Sequence, residues 1–369
     1  MDGAMMGQSE MFGTFFLPGP TEVRREVLEA MLRPMIPHRS IEFEELFARL
    51  QTGLQGVFQT SRPVFVSAAS ATGMMEAGIR CLQQGKVLSL VNGAFSERFA
   101  RIAEKCGHAV DRYEVPWGET HQLDRLDNYL TKSEYCGVTV VHSETSTGAL
   151  NPIIQISDVA HRHGVWCLVD SVSGLGGAEV RTDASGFDYI LTGSQKAIAI
   201  PPGLAFGVAS ENFLEAADKA RGRGVYFDLV EMHRFATEGQ VPSTPALSLL
   251  YALDKQLEAV LAEGIENRWK RHGAMSQAMD TWLIECQSNG IDINNIVERG
   301  QRSPTVSTLR LPRDVNAEVF LGEVWSRGIT VATGYGKLKS STFRIGHMGD
   351  HSPLTLERCL DACRSALKN

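Results

Sequence analysis

Short apolar runs alternate with amphipathic stretches between residues 63 and 208, and this alternation constrains the fold more than any other feature of the chain. The runs fall at 63–66, 87–91, 138–141, 166–169, 189–192 and 204–208, with helical spacing near 71–83, 96–106 and 155–163 between them. A strand that is apolar along its whole length has no face to offer water, so both faces must be covered. Intervening helices supply that cover, and the crossovers they make favour parallel neighbours. The expectation is an α/β fold whose large domain has a mostly parallel sheet covered by helices. In such sheets ligands bind beyond the C-terminal ends of the strands.

The pattern changes after Pro245. Long helices are expected over 246–262 and 265–287, then strands near 305–311, 329–331 and 342–345 and helices near 316–327 and 353–367. This reads as a smaller C-terminal α+β domain. The expected division is a lead-in at 1–17, a large domain at 18–255 and a small domain at 256–369. With 369 residues the chain exceeds what one small core organises. Thr21 is expected to cap a helix over 22–32.

A net charge of −7 argues against a nucleic-acid or anionic-membrane surface. No run approaches the roughly 20 apolar residues of a membrane span, and Met1 to Met11 lacks the basic and apolar regions of a signal peptide. The 7 cysteines are scattered, with no Cys-x-x-Cys pair and no histidine cluster beside them. The expectation is therefore no metal, and reduced thiols in a cytoplasmic protein.

Residues with chemistry to offer recur at the expected strand ends. Lys196 follows the run 189–192 and precedes an uncharged stretch, Ala197 to Gly203. A primary amine there is either a strand-end charge or, if desolvated, a nucleophile able to form an imine with a carbonyl. Asp170 ends the run 166–169, where an acid needs a cationic or hydrogen-bonding partner. It suits either a helix cap or a pyridinium nitrogen. Ser70, Ala71 and Thr72 lead into a helix, either as an ordinary cap or as a cup for a phosphate. Phe95, after the run 87–91, can stack on a flat ligand or belong to the core. His142 to Gly148 puts hydroxyls and an acid beside Asp170. Arg344 sits between apolar neighbours, as a salt-bridge partner or a fork for a carboxylate.

In this order, the segments Pro18-Gly19-Pro20-Thr21, His38-Arg39-Ser40, Ser70-Ala71-Thr72, Glu144-Thr145-Ser146-Thr147-Gly148, Asp170-Ser171-Val172, Gly193-Ser194-Gln195-Lys196 and Arg344-Ile345-Gly346 resemble the class V aminotransferases among the fold-type I pyridoxal-phosphate enzymes. That family includes alanine–glyoxylate, serine–glyoxylate and phosphoserine aminotransferases. The resemblance implies pyridoxal 5'-phosphate as cofactor, held by Lys196 through an imine, with Lys196 then moving the α-proton. It implies that Asp170 pairs with the ring nitrogen, that Thr145 bonds the ring hydroxyl, and that Phe95 and Val172 sandwich the ring. Ser70, Ala71, Thr72 and Gln195 would hold the phosphate, completed by Ser243 and Thr244 of a second subunit, so that the enzyme is a homodimer. Arg344 would bind the substrate carboxylate, with His38 and Arg39 as further substrate residues.

The implied reaction moves an amino group from a small amino acid of the alanine or serine type to a 2-oxo acid such as glyoxylate or pyruvate. Two alternatives share the fold. One is a phosphoserine or aminophosphonate transaminase, which Ser243-Thr244-Pro245 resembles. The other is a lyase or desulfurase, for which the Gly334-Tyr335-Gly336 loop lacks the needed thiol. The stretch Glu238 to Pro242 also lacks the tyrosine common in the alanine–glyoxylate branch.

Overall fold

The structure, a computed structural model, describes residues 12–368. The N-terminal stretch Met1 to Met11, part of the expected lead-in, therefore lies outside the described residues. The central seven-stranded sheet runs in the order Phe65–Ser67, Ala205–Ala209, Tyr189–Gly193, Trp166–Asp170, Gly137–Val141, Lys86–Val91 and Ala109–Glu114. Neighbours are parallel from Tyr189–Gly193 to Ala109–Glu114. Ala205–Ala209 is antiparallel to both of its neighbours. Gly137–Val141 and Tyr189–Gly193 are buried throughout, as largely apolar strands between two helical layers must be. The edge strand Ala109–Glu114 escapes the apolar pattern because an edge tolerates charge, and it carries Asp111, Arg112 and Glu114.

The helix Ala94–Lys105 buries Ser96, Phe99, Ala100 and Ala103, a stripe at helical spacing. It begins earlier than the apolar pattern suggests because Ser96 Oγ accepts the N–H groups of Asn92 and Gly93, both at 3.0 Å. The expected helix over 22–32 is shorter, Arg25–Ala30. Thr21 does not cap it. Its N–H donates to Gln195 O at 2.9 Å and its hydroxyl to Met348 O at 3.3 Å, so Thr21 ties three distant segments together instead.

The helix Leu247–Glu263 buries Leu250, Leu253 and Leu257 in the same core as Phe43, Leu50 and Leu54 of the helix Ile41–Phe58. The next helix, Ile265–Ser288, packs its Met275, Met279 and Trp282 with Leu356 and Cys359 of Pro353–Ala366. A second sheet of five strands follows the order Phe15–Phe16, Thr330–Thr333, Thr342–Gly346, Val306–Arg310 and Asn294–Asn295. Phe15–Phe16 pairs in parallel with Thr330 and Val331, and Phe16 is buried beside Phe343 and Ile345. A two-residue strand is too short to show a period, so the lead-in gave no sign of it. Arg344 lies in Thr342–Gly346, paired with Thr308 on one side and Ala332 on the other.

Candidate active site

Parallel strands deliver Phe95, Thr145, Asp170 and Lys196 to one edge of the sheet, just past Val91, Val141, Asp170 and Gly193. There they enclose a cavity of about 270 Å³. Its walls include Ser70, Ala71, Thr72, Phe95, Thr145, Asp170, Val172, Gln195 and Lys196. Those candidates, scattered over more than a hundred positions, share one space.

Lys196 is 6% exposed, and its Nζ donates to Pro18 O. Gly19 packs so closely that a Cβ would fall on the Lys196 amine, and its φ of +122° also favours glycine. Burial, with the Arg344 charge adding to it, pulls the amine from 10.5 down to about 7. Asp170 is 2% exposed, and its Oδ1 accepts the Val172 N–H at 2.8 Å. Burial pushes this carboxyl up from 3.8 to about 7, against the opposing Val172 hydrogen bond. A neutral amine is a nucleophile, and a buried acid with this little support favours a cationic partner.

Glu144 organises the wall between them. Fully buried, it accepts from Phe95 N (3.2 Å), Ser96 N (2.9 Å), Ser96 Oγ (2.9 Å), Ser146 N (3.1 Å) and Ser146 Oγ (2.6 Å). A carboxylate at the start of Ala94–Lys105 meets otherwise unpaired N–H groups and the positive end of the helix. It thereby fixes Phe95. The Phe95 ring has the Arg98 guanidinium 4.9 Å from its centroid and Lys196 Nζ at 5.9 Å. Thr145 shares a 2.5 Å hydrogen bond with the Ser173 hydroxyl.

At the opposite end lies the start of the helix Ala71–Arg80. Ser70 makes no side-chain cap there, so the hydroxyl is not spent on the helix. Gln195 Oε1 is buried with no hydrogen-bond partner. A side-chain amide can present either its oxygen or its NH₂ to this space. An uncapped helix start with an amide beside it suits an anion.

Arg344 does not line the cavity. Its Nε donates to Thr333 O (3.0 Å) and its Nη1 to Thr145 O (3.1 Å), and its guanidinium lies 5.3 Å from the centroid of the Tyr335 ring. Tyr335 in turn meets Phe95 at 5.4 Å, so Arg344 adjoins the cavity wall directly at Thr145 and, by way of Tyr335, at Phe95. Burial lowers the guanidinium to about 10.

Four candidates stand apart. Ser243 and Thr244 are exposed and line a separate small hollow with Tyr226. Arg39 bonds Gln240 Oε1 at 2.8 Å on the same side, next to half-buried His38. Sequence reasoning missed the pinning role of Glu144, and missed Arg98, Ser173 and Tyr335. Arg98 had a signal, since it lies one helical turn from Phe95. The others depend on contacts between segments far apart in the chain.

Known proteins resemble this chain over nearly its whole length. The family model described as aminotransferase class-V matches residues 21–345. An uncharacterized aminotransferase of Methanocaldococcus jannaschii is 39% identical over 90% of this chain and 87% of its own. The L-aspartate–glyoxylate aminotransferase of Paracoccus denitrificans is 33% identical over 90% and 86%. Among solved structures, an alanine–glyoxylate aminotransferase from Nostoc sp. superposes with a TM-score of 0.89 at 28% identity, covering 96% of this chain and 95% of that one. The chain belongs to the class-V aminotransferase family, and it is an aminotransferase of the pyridoxal-phosphate-dependent kind.

Proposed function

We propose that this enzyme transfers the amino group of a small amino acid of the alanine or serine type to a 2-oxo acid such as glyoxylate or pyruvate, with pyridoxal 5'-phosphate held by Lys196. One observation carries the reading: a desolvated amine, a buried acid and an uncapped helix start face one cavity, with a buried guanidinium beside it. Glyoxylate appears in the names of both the Paracoccus and the Nostoc relatives, which supports it as acceptor.

The residues present fit the cofactor. The unpartnered Gln195 Oε1 marks a polar site awaiting a ligand, and Ser70, Ala71 and Thr72 beside it suit a phosphate. Asp170 matches a protonated ring nitrogen, Thr145 the ring hydroxyl, and Phe95 and Val172 the ring faces. When bound, pyridoxal phosphate supplies an electron sink for negative charge developing at the substrate Cα.

Lys196, kept neutral by burial, would hold the cofactor until the donor's amino group displaces it, and the freed amine would then move the proton at the substrate Cα. Asp170 would keep the ring nitrogen protonated. Arg344 orients the substrate by its carboxylate, held by two backbone carbonyls while its remaining donors stay available. Glu144 and Tyr335 close the wall and limit the access of water.

The active enzyme is a homodimer in this reading. Ser243 and Thr244 lie outside their own chain's cavity, next to Tyr226, which is 48% exposed, and Val225, which is 93% exposed. Exposed apolar residues beside polar candidates support a second copy at this face. Ser243 and Thr244 would then complete the partner's phosphate site, with His38 and Arg39 toward its substrate. Sedimentation should give twice the chain mass, and a monomer with full cofactor content would refute the dimer. All 7 cysteines are unpaired, which supports a cytoplasmic enzyme. None lines the cavity, so nothing favours the desulfurase alternative.

The deciding experiment is a single-half-reaction screen by absorbance. Alanine, serine, aspartate, phosphoserine and aminoethylphosphonate are offered in turn, and conversion of bound cofactor to its amine form is followed. Conversion by alanine or serine is expected. Conversion by the phosphorus-bearing donors alone would replace this reading with the phosphoserine or aminophosphonate one.

A further inference from the structure

Arg268, on the helix Ile265–Ser288, lines no part of the cavity, yet it grips the segments that carry both reactive side chains. It is 2% exposed. Its Nη2 donates to Ala197 O at 2.8 Å, the carbonyl next to Lys196, and to Asp350 Oδ1 at 2.9 Å, just beyond the strand of Arg344. Its Nη1 donates to Glu263 Oε2 at 2.9 Å. Asp350 also accepts from Arg24 Nε (2.7 Å) and Gln256 Nε2 (3.0 Å). Arg24 follows the segment whose Pro18 O receives the Lys196 amine.

The two gripped segments touch. Ala199 closes the turn after Lys196 with a left-handed φ of +61°, its N–H bonded to Lys196 O at 2.8 Å. A Cβ on Gly349, next to Asp350, would lie 3.0 Å from the Ala199 Cβ. A non-glycine residue holds such a conformation only where its surroundings enforce it. The guanidinium is planar, so its three partners are fixed in direction as well as distance.

We infer that Arg268 is a positioning residue that sets the placement of the Lys196 amine relative to the Arg344 guanidinium. This rests on the reading that both groups act on one substrate, the amine at Cα and the guanidinium at its carboxylate. A fixed separation matters because small displacements of reacting groups cost rate steeply.

The test uses the cofactor-loaded enzyme and the variants Arg268→Gln, Arg268→Lys and Asp350→Asn. Melting temperature, cofactor content, donor half-reaction kcat and KM, and the Kd of 2-methylalanine are measured. 2-Methylalanine has no Cα proton, so its binding reads placement without turnover. For Arg268→Gln the expected result is retained cofactor, a kcat lower by about 100-fold, and weaker 2-methylalanine binding. Arg268→Lys should recover part of the loss, because it keeps the charge but not the fork. Asp350→Asn should lose less, because Arg268 keeps its bonds to the Ala197 carbonyl and to Glu263. A folded, loaded Arg268→Gln enzyme with unchanged kcat, KM and Kd overturns the inference. If that variant does not fold, the same unchanged values in Asp350→Asn overturn it. A wild-type enzyme inert toward every donor would instead sink the proposed function, and 2-methylalanine binding alone would then decide the role of Arg268.

Discussion

Arg344 donates to the Thr145 carbonyl at 3.1 Å, joining the strand of the second sheet to the loop that follows Val141 in the first. The guanidinium is thus braced from behind by backbone. Arg344→Ala should raise KM for carboxylate substrates by about 10- to 100-fold, the range expected for a lost hydrogen bond to a charged group. Arg344→Lys should recover little, because one ammonium cannot keep the Thr145 and Thr333 carbonyls and also present a fork. An unchanged KM in steady-state assays would move carboxylate binding elsewhere.

The pH behaviour of Lys196 follows from its burial. The ordinary value of 10.5 falls to about 7, so the amine is neutral above that pH and protonated below it. Covalent capture of added pyridoxal phosphate by the cofactor-free protein should accelerate through neutrality and then level off. Stopped-flow absorbance that kept rising toward pH 10.5 would show a solvated amine.

Asp170→Asn separates stability from catalysis. The Asp170 carboxyl is raised from 3.8 to about 7 in the fold, so its contribution is fully favourable below 3.8 and is lost as pH rises through 7. Without cofactor, the asparagine variant should therefore gain in melting temperature relative to wild type as pH rises from about 4 to above 7. With cofactor it should bind more weakly and lose most turnover. Full activity would remove Asp170 from the ring nitrogen.

Glu144→Gln replaces an all-acceptor group by one that points N–H toward N–H. The variant should lose about 2–3 kcal/mol of stability, read by denaturant titration. Its cofactor should also bind more loosely, because Phe95 loses its anchor. A variant with native stability and native cofactor affinity would show that the five donors gathered around Glu144 need no anion.

The parts legible in the sequence were those written in local pattern. The buried strands 137–141, 166–170 and 189–193 are mostly apolar, and Asp170 and Lys196 stand at or just past strand ends, where the parallel topology brings ligands. Ordered motifs then named the family. What stayed hidden depends on contacts between remote segments. Nothing near Thr21 reveals that it bonds Gln195 and Met348 rather than capping a helix. Nothing near Arg268 announces the carbonyl of Ala197. Arg344 stands out between apolar neighbours as a salt-bridge partner or a carboxylate fork, but its contact with Tyr335 comes from a loop with no periodic signal.

The pairing of Phe15–Phe16 with Thr330 and Val331 has a consequence for how the enzyme is made. The Lys196 amine sits under Pro18, in a segment stitched to residues that are made after the central sheet. A growing chain can thus build its central sheet before its cavity is closed, and chains cut short ahead of residue 330 would carry every cavity-facing side chain of the first sheet yet lack the clasp that closes over them.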